Sequence, residues 1–214
     1  MGSIRKGVLG GFNGKVGSVI GSRWKGNYFM RSLPDMPKSK KVSMKALQHR
    51  ACFKQTSRFI SKARRLVEIG FFPEKDAQTV YNAAFESNHG CFQYQDDHVE
   101  VDYSSLKLSN GALCQMGDFT LDLKEDGLLE ITWSDVELDR MDEEPLYVHL
   151  LICRDDMKYM RSYVSLAKAT ELSAELMITS QMAGHKLHVY AFYGLRRSTT
   201  LATISDTTYC MLQA

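Results

Sequence analysis

From about residue 91 to the end of the chain, the apolar pattern has a period of two. Alternation of this kind puts successive side chains on opposite faces of an extended strand. Nine segments read this way: 99–103, 113–116, 119–123, 128–133, 146–154, 158–164, 171–178, 186–193 and 207–212. Turn residues divide them at Asn110-Gly111, Glu125-Asp126-Gly127, Arg154-Asp155-Asp156, Ala183-Gly184 and Gly194. Short strands with no helical pattern between them predict an antiparallel β-sandwich.

Ahead of that stretch the period is helical. Residues 33–42 form a linker with two prolines and three lysines, and Ser43 is placed to cap a helix running to about Val67. On its wheel Cys52, Phe59, Ile60, Ala63, Leu66 and Val67 share one arc, and Arg50, Lys54, Arg58, Lys62 and Arg65 share the opposite one. Like charges at i,i+4 cost a few tenths of a kcal/mol each in an isolated helix, so the stripe calls for an acidic partner or a phosphate track. Gly70 and Pro73 interrupt the pattern. A second helix is predicted from Pro73 or Glu74 to Ser87, with Ala77, Val80, Tyr81, Ala84 and Phe85 at core spacing and Glu74 and Asp76 at its positive end. The two helices are expected to pack as an antiparallel hairpin.

The first 32 residues are punctuated by Gly7, Gly10, Gly11, Gly14, Gly17, Gly21 and Gly26. Strand-like runs at 16–20 and 27–31, joined by the loop 21–26, predict a β-hairpin. A phosphate loop does not fit: Gly14-Lys15 is followed by Val16 instead of Ser or Thr, and position 9 is Leu9. Trp24, Tyr28 and Phe29 interleave with Arg23, Lys25 and Arg31. Aromatic rings among cations grip single-stranded nucleic acid. Alternatively, alternate residues of the hairpin bury the rings.

The net charge of +2 conceals a strong division. Residues 1–65 hold sixteen Lys/Arg against one acid, Asp35, a net +15; the remaining eleven basic and twenty-four acidic residues leave 66–214 at −13. Such asymmetry points to a polyanion, nucleic acid above all. It equally allows the basic part to pack against the acidic part, of the same chain or of a neighbouring copy, which favours head-to-tail contact.

The five cysteines, Cys52, Cys91, Cys114, Cys153 and Cys210, are odd in number and form no C-x-x-C pair, which argues against a disulfide framework or a zinc ribbon. They fit a reducing compartment, the cytoplasm. Cys153 and Cys210 lie in apolar runs and read as small core residues. No window reaches ~18 apolar residues and the N-terminus lacks an apolar core, so neither a membrane span nor a secretory signal is expected.

Candidate chemistry is sparse. His185 and His188 point to opposite faces of a strand and make a poor metal pair, and His149 sits between apolar residues as a core or edge histidine. Asp135, Glu137, Asp139, Asp142, Glu143 and Glu144 form an acidic loop that reads as a weak Ca²⁺ candidate, a solvated loop or the acceptor for the basic helix. With no G-x-S-x-G or H-E-x-x-H motif, no catalytic residue, metal or cofactor is expected.

Two resemblances add to this reading. Ile131-Thr132-Trp133 closes an early strand, Tyr147-Val148-His149-Leu150-Leu151-Ile152 forms a central one, and His188-Val189-Tyr190-Ala191-Phe192-Tyr193 the penultimate one. In that order the second half resembles a fibronectin type III domain, a class that serves mainly for binding or spacing. The whole chain also resembles a domain family of unknown function common in Bacteroidota genomes. That likeness rests on Gly10-Gly11-Phe12, Gly14-Lys15-Val16-Gly17-Ser18-Val19-Ile20-Gly21-Ser22-Arg23-Trp24-Lys25-Gly26, Ile69-Gly70-Phe71, Val101-Asp102-Tyr103-Ser104, Leu108-Ser109-Asn110-Gly111 and Val189-Tyr190 with Phe192. The 14–31 stretch is similar, too, to glycine-rich N-termini encoded near phage and prophage structural genes. The resemblance implies a non-enzymatic protein and supplies no catalytic residues.

The expected molecule is therefore α+β and mostly β. Residues 1–90 form a basic hairpin with a helical hairpin, and 91–214 an acidic fibronectin type III-like sandwich. Its expected role is interaction or assembly. Arg23, Lys25, Arg31, Arg50, Lys54, Arg58, Lys62 and Arg65 would meet nucleic acid or an acidic protein surface, with Trp24 and Tyr28 as contact aromatics. The alternative is a phage-derived virion component. The expected location is the cytoplasm, or the virion in that alternative.

Overall fold

A computed structural model describes residues 3–4, 10–24, 26–34, 42–73, 78–124, 126–134, 145–195 and 203–213. By contact the chain divides into two compact units, 1–43 and 44–214.

The first unit is a four-stranded antiparallel sheet in the order β1 (Ser3–Ile4), β2 (Phe12–Val16), β3 (Val19–Trp24) and β4 (Asn27–Ser32). The pairs Val16↔Val19 and Trp24↔Asn27 make both hairpin turns two residues long. Gly17 (φ +60°) and Gly26 (φ +88°) supply the left-handed backbone such turns need. The chain thus turns inside the expected 16–20 strand, and most of the expected 21–26 loop is β3. Gly21 is buried in that strand because the Phe12 ring occupies the space a Cβ would fill.

The second unit opens with α1 (Met44–Lys62) and α2 (Arg64–Gly70). They are separated at Ala63, whose ψ of 10° interrupts the helix for one residue. All six residues of the predicted core arc are buried. The third helix, α3 (Val80–Asn88), starts later than Pro73, because the Thr79 side chain accepts from the Asn82 N–H and caps it there. Residues 74–77, including Glu74, Asp76 and Ala77, lie outside the described residues. A hairpin of β5 (Phe92–Gln95) and β6 (His98–Val101) follows.

The remaining strands form two antiparallel sheets. One has the order β11 (Ser173–Met177), β8 (Leu128–Thr132), β7 (Thr120–Leu123). The other runs β10 (Met160–Lys168), β9 (Tyr147–Arg154), β12 (Lys186–Gly194), β13 (Thr208–Gln213). The chain crosses between sheets after β8, after β10 and after β11. Three strands thus face four in the expected antiparallel β-sandwich. Of the segment 113–116, Leu113 alone pairs, in a parallel bridge with Ser205.

The central strands of the four-stranded sheet, β9 and β12, are buried on both faces. Leu129, Ile131, Val148, Leu150, Ile152, Leu187, Val189, Ala191 and Tyr193 fill the sandwich interior. The alternate residues of the same strands, Leu151, Cys153, Tyr190 and Phe192, pack outward into a second core with Phe59, Leu66, Val67, Ala84, Phe92, Leu106 and Leu108. Burying one large apolar side chain contributes about 1.5–3 kcal/mol. The helices share that contribution with the sheet, so by contact residues 44–90 group with the strands that follow them.

Candidate polyanion-binding surfaces

Along α1, Arg50, Lys54, Arg58 and Lys62 are exposed, one every four residues, and Arg65 is exposed at the start of α2. Four residues rise about 6 Å, so the α1 cations span roughly 18 Å of helix axis. Among the described residues, no acidic side chain forms an ion pair with any of the five. Their neighbour Arg64 differs: its guanidinium lies 3.0 Å from Glu68, which also accepts from the Tyr81 hydroxyl.

Lys62 is fixed differently from the rest. Its ammonium donates to the carbonyls of Met157 (2.7 Å) and Lys158 (3.0 Å) in the turn between β9 and β10. That contact borders a cavity of about 520 Å³ reached by Arg58, Lys62 and Lys158. The carboxylate there, Asp156, is engaged by Arg154 and by the Lys158 N–H, with the Lys158 ammonium at 3.8 Å. The Arg154 guanidinium holds its carboxyl well below the usual carboxylate range. Asp156 stays ionised and spent on its own turn, leaving Arg58 without a carboxylate partner among the described residues.

In the N-terminal sheet, strand register sorts the predicted residues by face. Arg23↔Tyr28 and Gly21↔Met30 share one face; Ile20↔Arg31, Ser22↔Phe29 and Trp24↔Asn27 share the other. The two expected contact aromatics, Trp24 and Tyr28, therefore lie on opposite faces. Tyr28 packs where a Gly11 Cβ would stand, and the Arg23 guanidinium lies over its ring at 5.5 Å. Trp24 and Phe29 are 52% and 50% exposed, so burial of all three rings, the alternative reading, does not hold. Lys25 and the acidic residues of 135–144 lie outside the described residues.

The residues that carry the family likeness build joints. A Gly70 Cβ would stand 2.1 Å from the Leu108 carbonyl oxygen, and the Asn110 N–H donates to the Gly70 carbonyl (2.9 Å). Thr207 accepts from the Leu108 and Ser109 amides, and Tyr190 donates to the Tyr103 carbonyl (2.7 Å). These contacts tie the helical layer to the sheet.

The titratable groups of the interior are structural. His149 accepts from the Ser165 N–H at Nδ1 (3.1 Å) and faces the Gly194 carbonyl through Nε2 (3.3 Å). Ser165 has φ +53° and lies where the β9–β10 register shifts, so His149 holds a bulge; burial pushes its pKa down to about 4. Cys153 is buried with its thiol pushed up to about 12 by burial, which suppresses the thiolate. Cys210 is only half-buried, and all five cysteines are unpaired. His185 faces Asp155 (3.4 Å), while His188 stacks on Tyr103 and bonds Tyr209. Among the described residues, no three His, Cys, Asp or Glu side chains are grouped to hold a metal, and no helix is long and apolar enough to cross a membrane.

Sequence reasoning found the helix cations. It did not separate Phe29, which shares a face with Trp24, from Tyr28, which does not, because only strand register tells them apart. His149 is in the core as expected, while the bulge it holds and the Asn88 contacts with Lys107 were not legible, because Ser165, Gly194 and Lys107 lie well along the chain. The model of a family of unknown function, DUF6266, matches residues 11–205. No curated protein matches the chain.

Proposed function

The chain belongs to the DUF6266 family, and from that premise we propose a non-enzymatic interaction protein whose basic helix face docks on a polyanion, nucleic acid first. The observation that carries the reading is the contrast along one helix edge. Arg64 has its carboxylate, whereas Arg50, Lys54, Arg58, Lys62 and Arg65 stand exposed without one among the described residues. A solvated helix face ordinarily mixes signs. A one-sign face is stabilised by an external anion, and release of the counterions drives docking. Unpaired thiols support a reducing, cytoplasmic setting. Membership among Bacteroidota proteins is part of the same proposal.

The test is a titration of labelled single- and double-stranded DNA and RNA with the full chain and with a variant carrying all five cations as Gln. If all five meet phosphate, affinity falls on the order of 10³-fold between ~50 and ~200 mM salt. The Gln variant loses binding. No binding by the wild type overturns the reading.

A second reading, an assembly or phage-type structural component, is favoured by the opposite charges of the two units. Residues 1–43 hold nine Lys/Arg against one acid, and 44–214 eighteen against twenty-four. It expects concentration-dependent oligomers without nucleic acid, seen by light scattering.

A further inference from the structure

The N-terminal sheet is asymmetric in how it uses its rings. On one face the rings have partners within the sheet: Phe12 covers Gly21, and Tyr28, though 44% exposed, packs on Gly11 and lies under Arg23. On the other face Trp24 and Phe29 are half exposed, flanked by exposed Lys15 and Arg31 in the row Lys15–Ile20–Arg31.

Trp24 and Phe29 are diagonal cross-strand neighbours, which places their Cα atoms about 7–8 Å apart. Two exposed rings rooted side by side on one sheet face can each take the face of a separate unpaired base, which a duplex keeps covered by its neighbours. The unit bearing them has nine Lys/Arg against one acid. A chemically matched occupant is therefore anionic and offers flat faces at intervals. A second copy of the same unit would bring like charge against like charge.

We propose that the Trp24–Phe29 face is a stacking platform for unpaired nucleic-acid bases, with Lys15 and Arg31 on the backbone phosphates. The platform deepens the polyanion reading by naming the ligand as single-stranded, and it lies on different residues from the helix cations. Ring-to-base stacking tolerates any base, so the platform binds without sequence preference.

The chain carries a direct reporter, because Trp24 is half exposed while its other tryptophan, Trp133, is buried. Tryptophan fluorescence of the full chain is titrated with a ~15-nucleotide single strand, its duplex and inorganic polyphosphate at one salt concentration. The single strand is expected to quench the wild type and leave Trp24→Phe unquenched; polyphosphate binds without quenching. Phe29→Leu weakens single-strand affinity about 5- to 150-fold. Phe29→Tyr, which keeps a ring, restores it, so a loss caused by misfolding of the sheet is recognised. Equal quenching by duplex or polyphosphate, no quenching at all, or unchanged affinity in Phe29→Leu overturns the platform. The five-Gln helix variant separates the two proposals. Single-strand quenching that survives in it, with duplex binding unchanged, keeps the platform and removes the helix face. Loss of all anion binding in it, with Phe29→Leu unaffected, does the reverse.

Discussion

Residues 44–214 hide most of their large rings, Phe53 excepted, and residues 1–43 display Trp24, Tyr28 and Phe29. In the larger unit Tyr190, Phe192 and Phe59 are almost wholly buried, and β12 is covered on both faces. In the smaller one all of β4 is exposed, Phe12 covers Gly21, and Tyr28 meets Gly11 and Arg23. The comparison teaches where each kind of selection acts: packing shapes the larger unit, and a surface left open shapes the smaller.

The comparison breaks most readily at Phe192. Truncation to Ala removes a ring from the second core, and denaturant unfolding should show a loss of about 3–5 kcal/mol. A loss under ~1 kcal/mol would mean that this core does not hold the unit together. Asn88 comes next. It is fully buried, donates to the Ala84 and Lys107 carbonyls, and accepts from the Lys107 N–H. Asn88→Ala strands those groups and should cost about 2–3 kcal/mol, read in the same experiment.

Acidification gives a third handle. The pKa of His149 is about 4 in the folded protein against 6.5 ordinarily. Between those values the unfolded chain holds a proton that the folded one lacks. Its share of stability is therefore intact above pH 6.5 and is lost as pH falls toward 4. At pH 5 the loss relative to pH 7 is about 2 kcal/mol. His149→Gln should flatten that difference, measured by unfolding at the two pH values; an unchanged slope sinks the assignment. The smallest effect belongs to the other unit. Phe29→Ala should leave the unfolding of 44–214 within ~0.5 kcal/mol of wild type. A larger shift would show that this ring is part of the packing after all.

The sequence made the larger unit legible wherever one face was buried. Cys52, Phe59, Ile60, Ala63, Leu66 and Val67 kept helical spacing because only one side of α1–α2 meets the core. The strands of the sandwich were legible through alternation and turn residues. Legibility failed where contacts come from a distance. Leu151, Cys153, Tyr190 and Phe192 make β9 and β12 read as continuous apolar runs, and nothing local says that helices cover their outer face. At the candidate site, the helix cations were visible because the signal is compositional. The partition of Trp24 from Tyr28 was not, since it turns on the β3–β4 register: β3 runs on to Trp24 through most of the expected 21–26 loop, so that Arg23 and not Trp24 stands opposite Tyr28.

The sheet shared by two cores also has a consequence in time. During synthesis the first helices leave the ribosome long before the wall they need. From Gly70 to Tyr190 the chain must grow by about 120 residues, roughly 6–24 s at 5–20 residues per second. Through that interval Leu66 and Val67 have no β12 to close against. The last long strand to be made therefore completes both layers in one step, and the nascent chain carries exposed apolar surface until it arrives.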